Sequence, residues 1–483
     1  MQKTNRPSRL ESTGKGSGHR ILSIVCAMLL SVLLHTTVWA QETVLSLSEA
    51  VDQGVQRYQS IQAKRNYLNA SEALVKNARN EYLPNVVAAA QHNYGTVNTQ
   101  FGPLAPVGAF GVSSAGPAYQ SQSWNAAFGS LYLVNTTWEF YTFGRVRSRI
   151  HAADAQMRRD SADLLQEQFV HSVKVSSAYL NLLIAQRLIQ NAESNLSRAE
   201  YVQKNVRARA LTGLNAGVDS SLANAEVSRA RLVLIDSRSN EQQVRNQLAQ
   251  FLNIAPDPFF LDTTLLSKIP AEHNTTVTVE QNPQVKFYRA RIDQANSLSK
   301  SLRRSILPGI TLFGIYQGRG SGFDYNYTPE SPDRYSKSYA DGIDPSRFNY
   351  VAGVSVAWNI MSTFRIRQQA EAQRFIAAAY QNEYDLVSTQ LSDQLILADQ
   401  RLENTLQSIR EVPQQHKAAS DAYLQKSVLY KNGLTTIVDL QQAMYALNRA
   451  ETDLGVAYIN VWQALLLKAA ASGDFGLFIN QTR

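Results

Sequence analysis

The sequence predicts a mixed α and β fold, mainly α, in which one chain supplies four strands to a barrel wall and continues into long helices. Three observations carry this. First, the chain matches itself at an offset of 220 residues: Trp138 falls on Trp358, Arg145 on Arg365, Arg147 on Arg367, Gly213 on Gly433 and Asp219 on Asp439. Slightly upstream the offset is 224, and Leu83-Pro84 falls on Leu307-Pro308. A period this long marks a duplicated architectural unit rather than a solenoid repeat. Second, each copy holds segments of strict period-two alternation. Third, each copy holds an exceptionally long stretch of helical composition.

The first 40 residues read as a signal peptide. Lys3, Arg6, Arg9, Lys15 and Arg20 precede an apolar run from Ile21 to Leu34, and Val38-Trp39-Ala40 offers a small-residue cleavage site. The only cysteine, Cys26, lies inside that run, so the remainder has no disulfide or thiolate metal site. The formal charge is +8 for the chain; the leader, with five bases and one acid, accounts for +4 of it, leaving +4. That balance gives no concentrated basic patch for nucleic acid. Beyond the leader no run of about 18 apolar residues predicts a helical membrane span.

The first copy is expected over 41–254. Ser46 to Glu81 reads as one helix, acidic at its start and stopped by Pro84. Strands are expected at 84–94 and 125–141. In the second, Phe128, Tyr132, Val134, Trp138 and Phe140 share one parity, while Ala127, Gly129, Asn135, Thr137 and Glu139 share the other. One apolar and one small or polar face means a sheet wet on one side. A helix over 145–211 follows, free of proline; at about 1.5 Å per residue it would be on the order of 100 Å long. A shorter helix is expected over 219–251. A proline-containing connector spans 255–281.

The second copy, 282–470, repeats the order: a helix opened by Asn282-Pro283, strands at 308–317 and 348–361, a long helix over 365–431 and a shorter one over 436–467. A tail, 471–483, follows. Pro413 predicts a kink or break in the second long helix. Long Gly-, Ser-, Pro- and Tyr-rich loops separate the strands of each pair.

Four strands of about ten residues, aromatic on one face, suit an outer-membrane wall. Trp138, Tyr141, Tyr350 and Trp358 then become candidates for the aromatic girdles at the membrane interfaces. Four strands cannot close a bilayer barrel, and an open edge in lipid leaves backbone groups unpaired at several kcal/mol each. Several chains must therefore share one barrel, most simply with cyclic symmetry. The long amphipathic helices, packed antiparallel about the same axis, could make a hollow coiled-coil wall.

No enzyme chemistry is legible. The seven histidines are scattered without ligand spacing, Gly318-Arg319-Gly320-Ser321-Gly322 lacks the ending of a phosphate loop, and no nucleophile-base pattern stands out. No cofactor is expected.

The Leu-Pro before each strand pair, the Trp and Arg-x-Arg at each strand-to-helix junction, and the Gly-Leu turn leading to an Asp together resemble the TolC-like outer-membrane efflux protein family. The resemblance spans essentially the whole chain after the leader. It implies a homotrimer with a twelve-stranded barrel in the outer membrane and a periplasmic helical tunnel. It implies a passive exit duct for drugs, metals or proteins, working with a periplasmic adaptor protein and an inner-membrane pump. It also implies that the turns Gly213-Leu214 and Gly433-Leu434 form the periplasmic end, where an adaptor docks and the tunnel closes.

By the same resemblance Tyr430, Asp439 and Asp219 match gate residues. Two positions depart from the family pattern: Thr435 stands where an arginine is expected, and Gln442 where a second aspartate is. Lys431, Arg207 and Arg209 are candidates to supply the missing cation. On the residues alone, Asp219 and Asp439 sit just after turns, where an aspartate commonly caps a helix. A different class of function, a periplasmic adaptor or coiled-coil envelope scaffold without channel activity, would need soluble β-domains in place of barrel strands.

Overall fold

The computed structural model describes residues 44–99, 119–212, 216–271 and 278–482. The leader expected at 1–40, with Cys26, and the turn residues Gly213 and Leu214 lie outside the described residues. In chain order the elements are α1 (Leu47–Arg57), α2 (Gln59–Asn80), β1 (Asn85–Thr96), β2 (Ala126–Tyr141), α3 (Arg145–Leu211), α4 (Gly217–Leu252), α5 (Pro283–Arg304), β3 (Gly309–Ser321), α6 (Tyr339–Ile343), β4 (Arg347–Ala357), α7 (Ser362–Lys431), α8 (Ile437–Ser472) and α9 (Gly476–Ile479). Mixed α and β, mainly α, is the fold class. The four strands form one antiparallel sheet in the order β1-β2-β3-β4.

The helix expected from Ser46 to Glu81 is two helices. Its start carries a capping box: the Ser46 hydroxyl accepts from Glu49 N–H while the Glu49 carboxylate accepts from Ser46 N–H. The chain then leaves helical geometry at Tyr58, whose backbone is extended (φ −69°, ψ 124°). The carbonyls freed by the break find side-chain donors, Gln62 Nε2 on Gln56 O (2.6 Å) and Asn253 Nδ2 on Arg57 O (3.4 Å). The Tyr58 ring stacks on His171 at 3.9 Å. A long-range aromatic contact thus overrides a helical composition.

Pro413 does not break α7. The helix runs 70 residues, Ser362 to Lys431, straight through it in its hydrogen-bonded pattern. A proline in a helix interior costs about 3 kcal/mol. Here Ile409 packs with Ala457 and Val461 of α8, and Leu402, Leu406, Val412 and Tyr458 join the cluster. Burial on the face opposed to α8 offsets the missing hydrogen bond.

The main core sits at the equator rather than at either end. Leu47 and Val51 of α1 meet Val175, Tyr179 and Leu183 from the middle of α3, Leu248 and Leu252 of α4, and Ile459, Trp462 and Leu466 of α8. The connector enters it through Leu261 and Leu265, and α9 through Phe478. Trp462 is fully buried, and its Nε1 donates to Leu265 O (3.1 Å) and Lys268 O (3.0 Å). The Tyr179 hydroxyl donates to Leu45 O (2.8 Å) and accepts from Asp262 N–H (3.1 Å); burial pushes this phenol above its ordinary range. By length and composition α8 would pass for a membrane span, but over half of its apolar window is buried in this core.

His171 is buried beside that core at 1% exposure. Its Nε2 donates to Phe251 O at 3.0 Å, and its Nδ1 has no hydrogen-bond partner. Burial lowers its pKa below the ordinary 6.5, against the smaller opposing effects of the Phe251 carbonyl and Glu167. The unfolded chain therefore takes up this proton first as pH falls. Its stabilising effect is present above 6.5 and is lost as pH drops from there toward the lowered value. A thermal melt followed through that window should show the midpoint falling on acidification, and His171→Gln, which keeps a donor for Phe251, should flatten the slope.

Candidate channel gate and membrane wall

The two faces of the sheet differ, the even-numbered one being the more apolar. Register pairs even-numbered residues with even-numbered ones: His92 with Ser130, Tyr132 with Gly318, Tyr316 with Tyr350. The even face carries exposed Val86, Val134, Phe140, Tyr316, Val354 and Val356. The odd face carries the polar residues Asn85, Gln91, Asn135, Glu139, Gln317 and Asn349, together with exposed Val87 and Val351. That alternation is the signature of a wall with lipid on one side and water on the other.

The two tryptophans of the repeat do the same job in each copy. Trp138 Nε1 donates to Tyr82 O (2.9 Å), and Trp358 Nε1 donates to Ile306 O (3.0 Å). Each acceptor lies in the turn just before a Leu-Pro pair, so each Trp clasps the helix-to-strand turn beside it. Tyr141 lies at the same, helix-side end of the sheet, where its ring meets Phe143. Tyr350 is placed toward the loop-side end, 81% exposed. The four girdle candidates therefore divide between the two rims, three at the helix side and one toward the loop side.

At the loop side, α6 folds back on the even face. His92 lies between two phenols, with Nδ1 2.8 Å from the Tyr339 hydroxyl and Nε2 2.7 Å from the Tyr132 hydroxyl. The Ser130 and Tyr132 hydroxyls donate to Ile343 O. Sequence reading missed this clasp because it joins three separated segments.

The opposite end of the molecule holds the turns. Helix α7 ends in a Schellman motif: Gly433 takes a left-handed φ of +74°, its N–H donates to Tyr430 O (3.0 Å), and Leu434 N–H donates to Leu429 O (2.9 Å). Tyr430 is buried, 6% exposed, in a cluster with Val202, Val206, Ala223, Ile437 and Leu440. Its carbonyl also accepts from Arg209 Nη1 at 2.7 Å, and that guanidinium lies 5.6 Å from the centre of its ring. Of the three candidate cations, Arg209 is thus the one bound to Tyr430. Lys431 lies instead over the Tyr201 ring (5.4 Å), and its hydrogen bond holds that phenol below its ordinary range.

Asp439 is a helix cap. Its Oδ2 accepts from the Thr435 hydroxyl (2.8 Å), the Thr436 hydroxyl (2.8 Å) and Thr436 N–H (3.2 Å), and its own N–H donates to the Thr436 hydroxyl (3.2 Å). The Thr435 and Thr436 hydrogen bonds hold its carboxyl below the ordinary carboxylate range, so it stays charged at any neutral or mildly acid pH. Thr435, standing where the resemblance expects an arginine, donates to this carboxylate. Gln442 is exposed on the next turn of α8. Asp219 occupies the same third position of α4, but the cap residue there is Ala216, with no hydroxyl. Thr436→Ala should therefore loosen the start of α8 by about 1 kcal/mol. Amide exchange at Ile437 to Leu440 would report it; unchanged protection would mean the box contributes nothing.

The two hairpins touch at equivalent positions. The Tyr445 hydroxyl contacts the Glu226 carboxylate and accepts from Arg229 Nη1 (2.7 Å). Gln441 Nε2 donates to Leu222 O (3.3 Å). Higher up, Arg198 grips Glu451 with both terminal nitrogens, at 3.0 and 2.7 Å. Several of these partners are separated by nearly the repeat length, so the copies lie side by side in one register. At the tip, Leu211, Val218, Leu434 and Val438 expose apolar surface. Among the described residues no group of three His, Cys, Asp or Glu side chains could hold a metal ion.

Comparison with known proteins agrees with this geometry. Residues 50–253 match the family model described as outer membrane efflux protein. The first copy therefore carries the sequence pattern of the outer membrane efflux proteins. The matched span is the first copy; the second copy is tied to it by the internal repeat. Among solved structures, the chain is similar to the CmeC outer membrane channel of Campylobacter jejuni, with TM-score 0.71, 12% identity, and coverage of 89% of this chain and 85% of that one. It is similar to the outer membrane protein VceC of Vibrio cholerae, with TM-score 0.68, 15% identity, and coverage of 88% and 96%. The open state of the MtrE outer membrane channel of Neisseria gonorrhoeae gives TM-score 0.66, 19% identity, and coverage of 88% of each chain. No curated protein matches by sequence search. The chain thus has the fold of these outer membrane channels, and its first copy matches the outer membrane efflux protein model.

Proposed function

We propose that three copies of this chain close a twelve-stranded barrel and a periplasmic tunnel, forming the passive outer duct of a tripartite efflux or secretion system. The observation that carries this reading is the pair of unpaired sheet edges. β1 and β4 are the outer strands of a four-stranded sheet whose even face is the more apolar. In a bilayer those edges need partners, and β4 of one copy runs antiparallel to β1 of the next. Exposed apolar residues along α4 and α7, among them Leu232, Ile235, Phe375 and Leu397, support neighbours along the helices as well. Trp138, Tyr141, Trp358 and Tyr350 then stand at the two membrane interfaces. In this reading the chain divides into a leader, two copies and a connector at the tunnel's equator.

The tip is the gate and the docking end. Arg209 on Tyr430 holds the two hairpins together, Asp219 and Asp439 place negative charge at the mouth, and Thr435 and Gln442 leave that charge weaker than two full acid rings. The turns at Gly213-Leu214 and Gly433-Leu434, with their exposed apolar neighbours, receive a periplasmic adaptor linked to an inner-membrane pump. Purified protein in a planar bilayer should show discrete conductance, and its mass in detergent should be three chains. A monomeric mass with no conductance steps would overturn the reading. Asp439→Asn should weaken block by multivalent cations added on the tip side; unchanged block would reduce Asp439 to a cap alone.

A further inference from the structure

Beside the Arg209–Tyr430 contact, α3, α7 and α8 enclose a cavity of about 280 Å³. Its walls have an uneven chemistry. Three phenol rings, Tyr201, Tyr423 and Tyr430, face it, and so do two cations, Arg209 and Lys431, while among the described residues no carboxylate lines it. Of the carboxylates nearest in the sequence, Glu200 pairs with Arg231 and Asp439 is held in its cap, while Asp421, two residues before Tyr423, is exposed and outside the lining. Arg209 gives Nη1 to the Tyr430 carbonyl, and a guanidinium has five N–H donors in all. The Lys431 side chain is exposed at the rim, above Tyr201.

We propose that this cavity binds a small aromatic carboxylate, its ring among the three tyrosines and its acid group on Lys431 and Arg209. The volume suits one ring with one acid group rather than a larger drug. The charge excludes cations of the same shape, and the phenol walls favour a flat ring over an inorganic anion. A second consequence rests on the gate reading given above. An acid group that draws the Arg209 guanidinium toward the cavity loosens its Nη1 bond to the Tyr430 carbonyl, so binding favours the open tip by its differential affinity for that state.

The test uses the full chain purified in detergent, with benzoate as the probe and benzamide and benzylammonium as controls, read by saturation-transfer NMR and calorimetry. Benzoate should bind saturably, with a Kd on the order of a millimolar for so few atoms. Benzamide should bind at least about tenfold more weakly, having lost the charge-assisted hydrogen bonds, and benzylammonium not at all. Lys431→Gln should weaken benzoate, and Ser427→Trp, which fills the cavity, should abolish its binding while the thermal melt stays cooperative. Non-saturable benzoate binding, equal binding of benzamide, or binding that survives Ser427→Trp in a folded protein overturns the site. Bilayer recordings then separate the two claims. Benzoate on the tip side should raise the open fraction in the wild type and do nothing in Ser427→Trp. Binding without any change in conductance would keep the site and remove its coupling to the gate.

Discussion

Arg209→Gln combined with Tyr430→Ala is expected to raise the open fraction of the channel by well over tenfold. The Arg209 contact joins a cationic side chain to the end carbonyl of a helix, where the macrodipole is negative. A hydrogen bond to a charged group contributes about 1.5–3 kcal/mol. Partial exposure of Arg209 places it at the low end, still about tenfold in an equilibrium constant. Tyr430 adds a different contribution: it is the aromatic centre of a six-residue buried cluster that joins α3 and α4 to α7 and α8. Truncating a buried aromatic costs about 3–5 kcal/mol. Single-channel recording of both single variants and the double gives the coupling between them. Unchanged conductance in all three would show that the tip contact is packing without gating.

Trp462→Ala is the second large effect, and it falls on stability instead of gating. Trp462 is fully buried where α3, α8, the connector and α9 meet, with Phe478 set edge-on at 6.2 Å. The substitution opens a cavity worth about 3–5 kcal/mol and leaves the Leu265 and Lys268 carbonyls without their indole donor. Trp462→Phe keeps most of the volume and loses only the donor, so it should cost about 1–2 kcal/mol. Helical circular dichroism on heating ranks the two. If both variants melt together, cavity formation is not what holds the equator, and the connector's hydrogen bonds carry it. Distance from the tip predicts that Trp462→Phe leaves conductance unchanged.

Much of the architecture was legible because it follows from periodicity and punctuation. Val354, Val356 and Trp358 against Ser355 and Ala357 alternate with the period of a strand, and the absence of proline and glycine from Arg145 to Leu211 leaves a helix as the only regular choice. The interruptions were not legible. Tyr58 breaks a helix by stacking on a histidine over a hundred residues away, and Pro413 fails to break one where Ile409 and Val412, just before it, pack against α8. Composition within a window contains neither partner. The strand boundaries moved for a similar reason: β4 stops at Ala357 because Trp358 turns to the Ile306 carbonyl.

At the tip, Tyr430, Asp439 and Gly433 could be singled out from their spacing after the long helix. Which of Lys431, Arg207 and Arg209 reaches Tyr430 could not, since Arg209 and Tyr430 belong to different copies of the repeat. The duplicated unit, the wall with one apolar face and the long helices are properties of residue order alone, set by local sterics and by which positions recur on one face. The partner of each polar side chain is a property of how the two copies lie against each other. Only the tertiary structure brings Arg209 to the Tyr430 carbonyl, Thr435 to Asp439 and two cations to one acid-free cavity. A hydrogen bond depends on a few ångströms between chains that sequence separation does not measure.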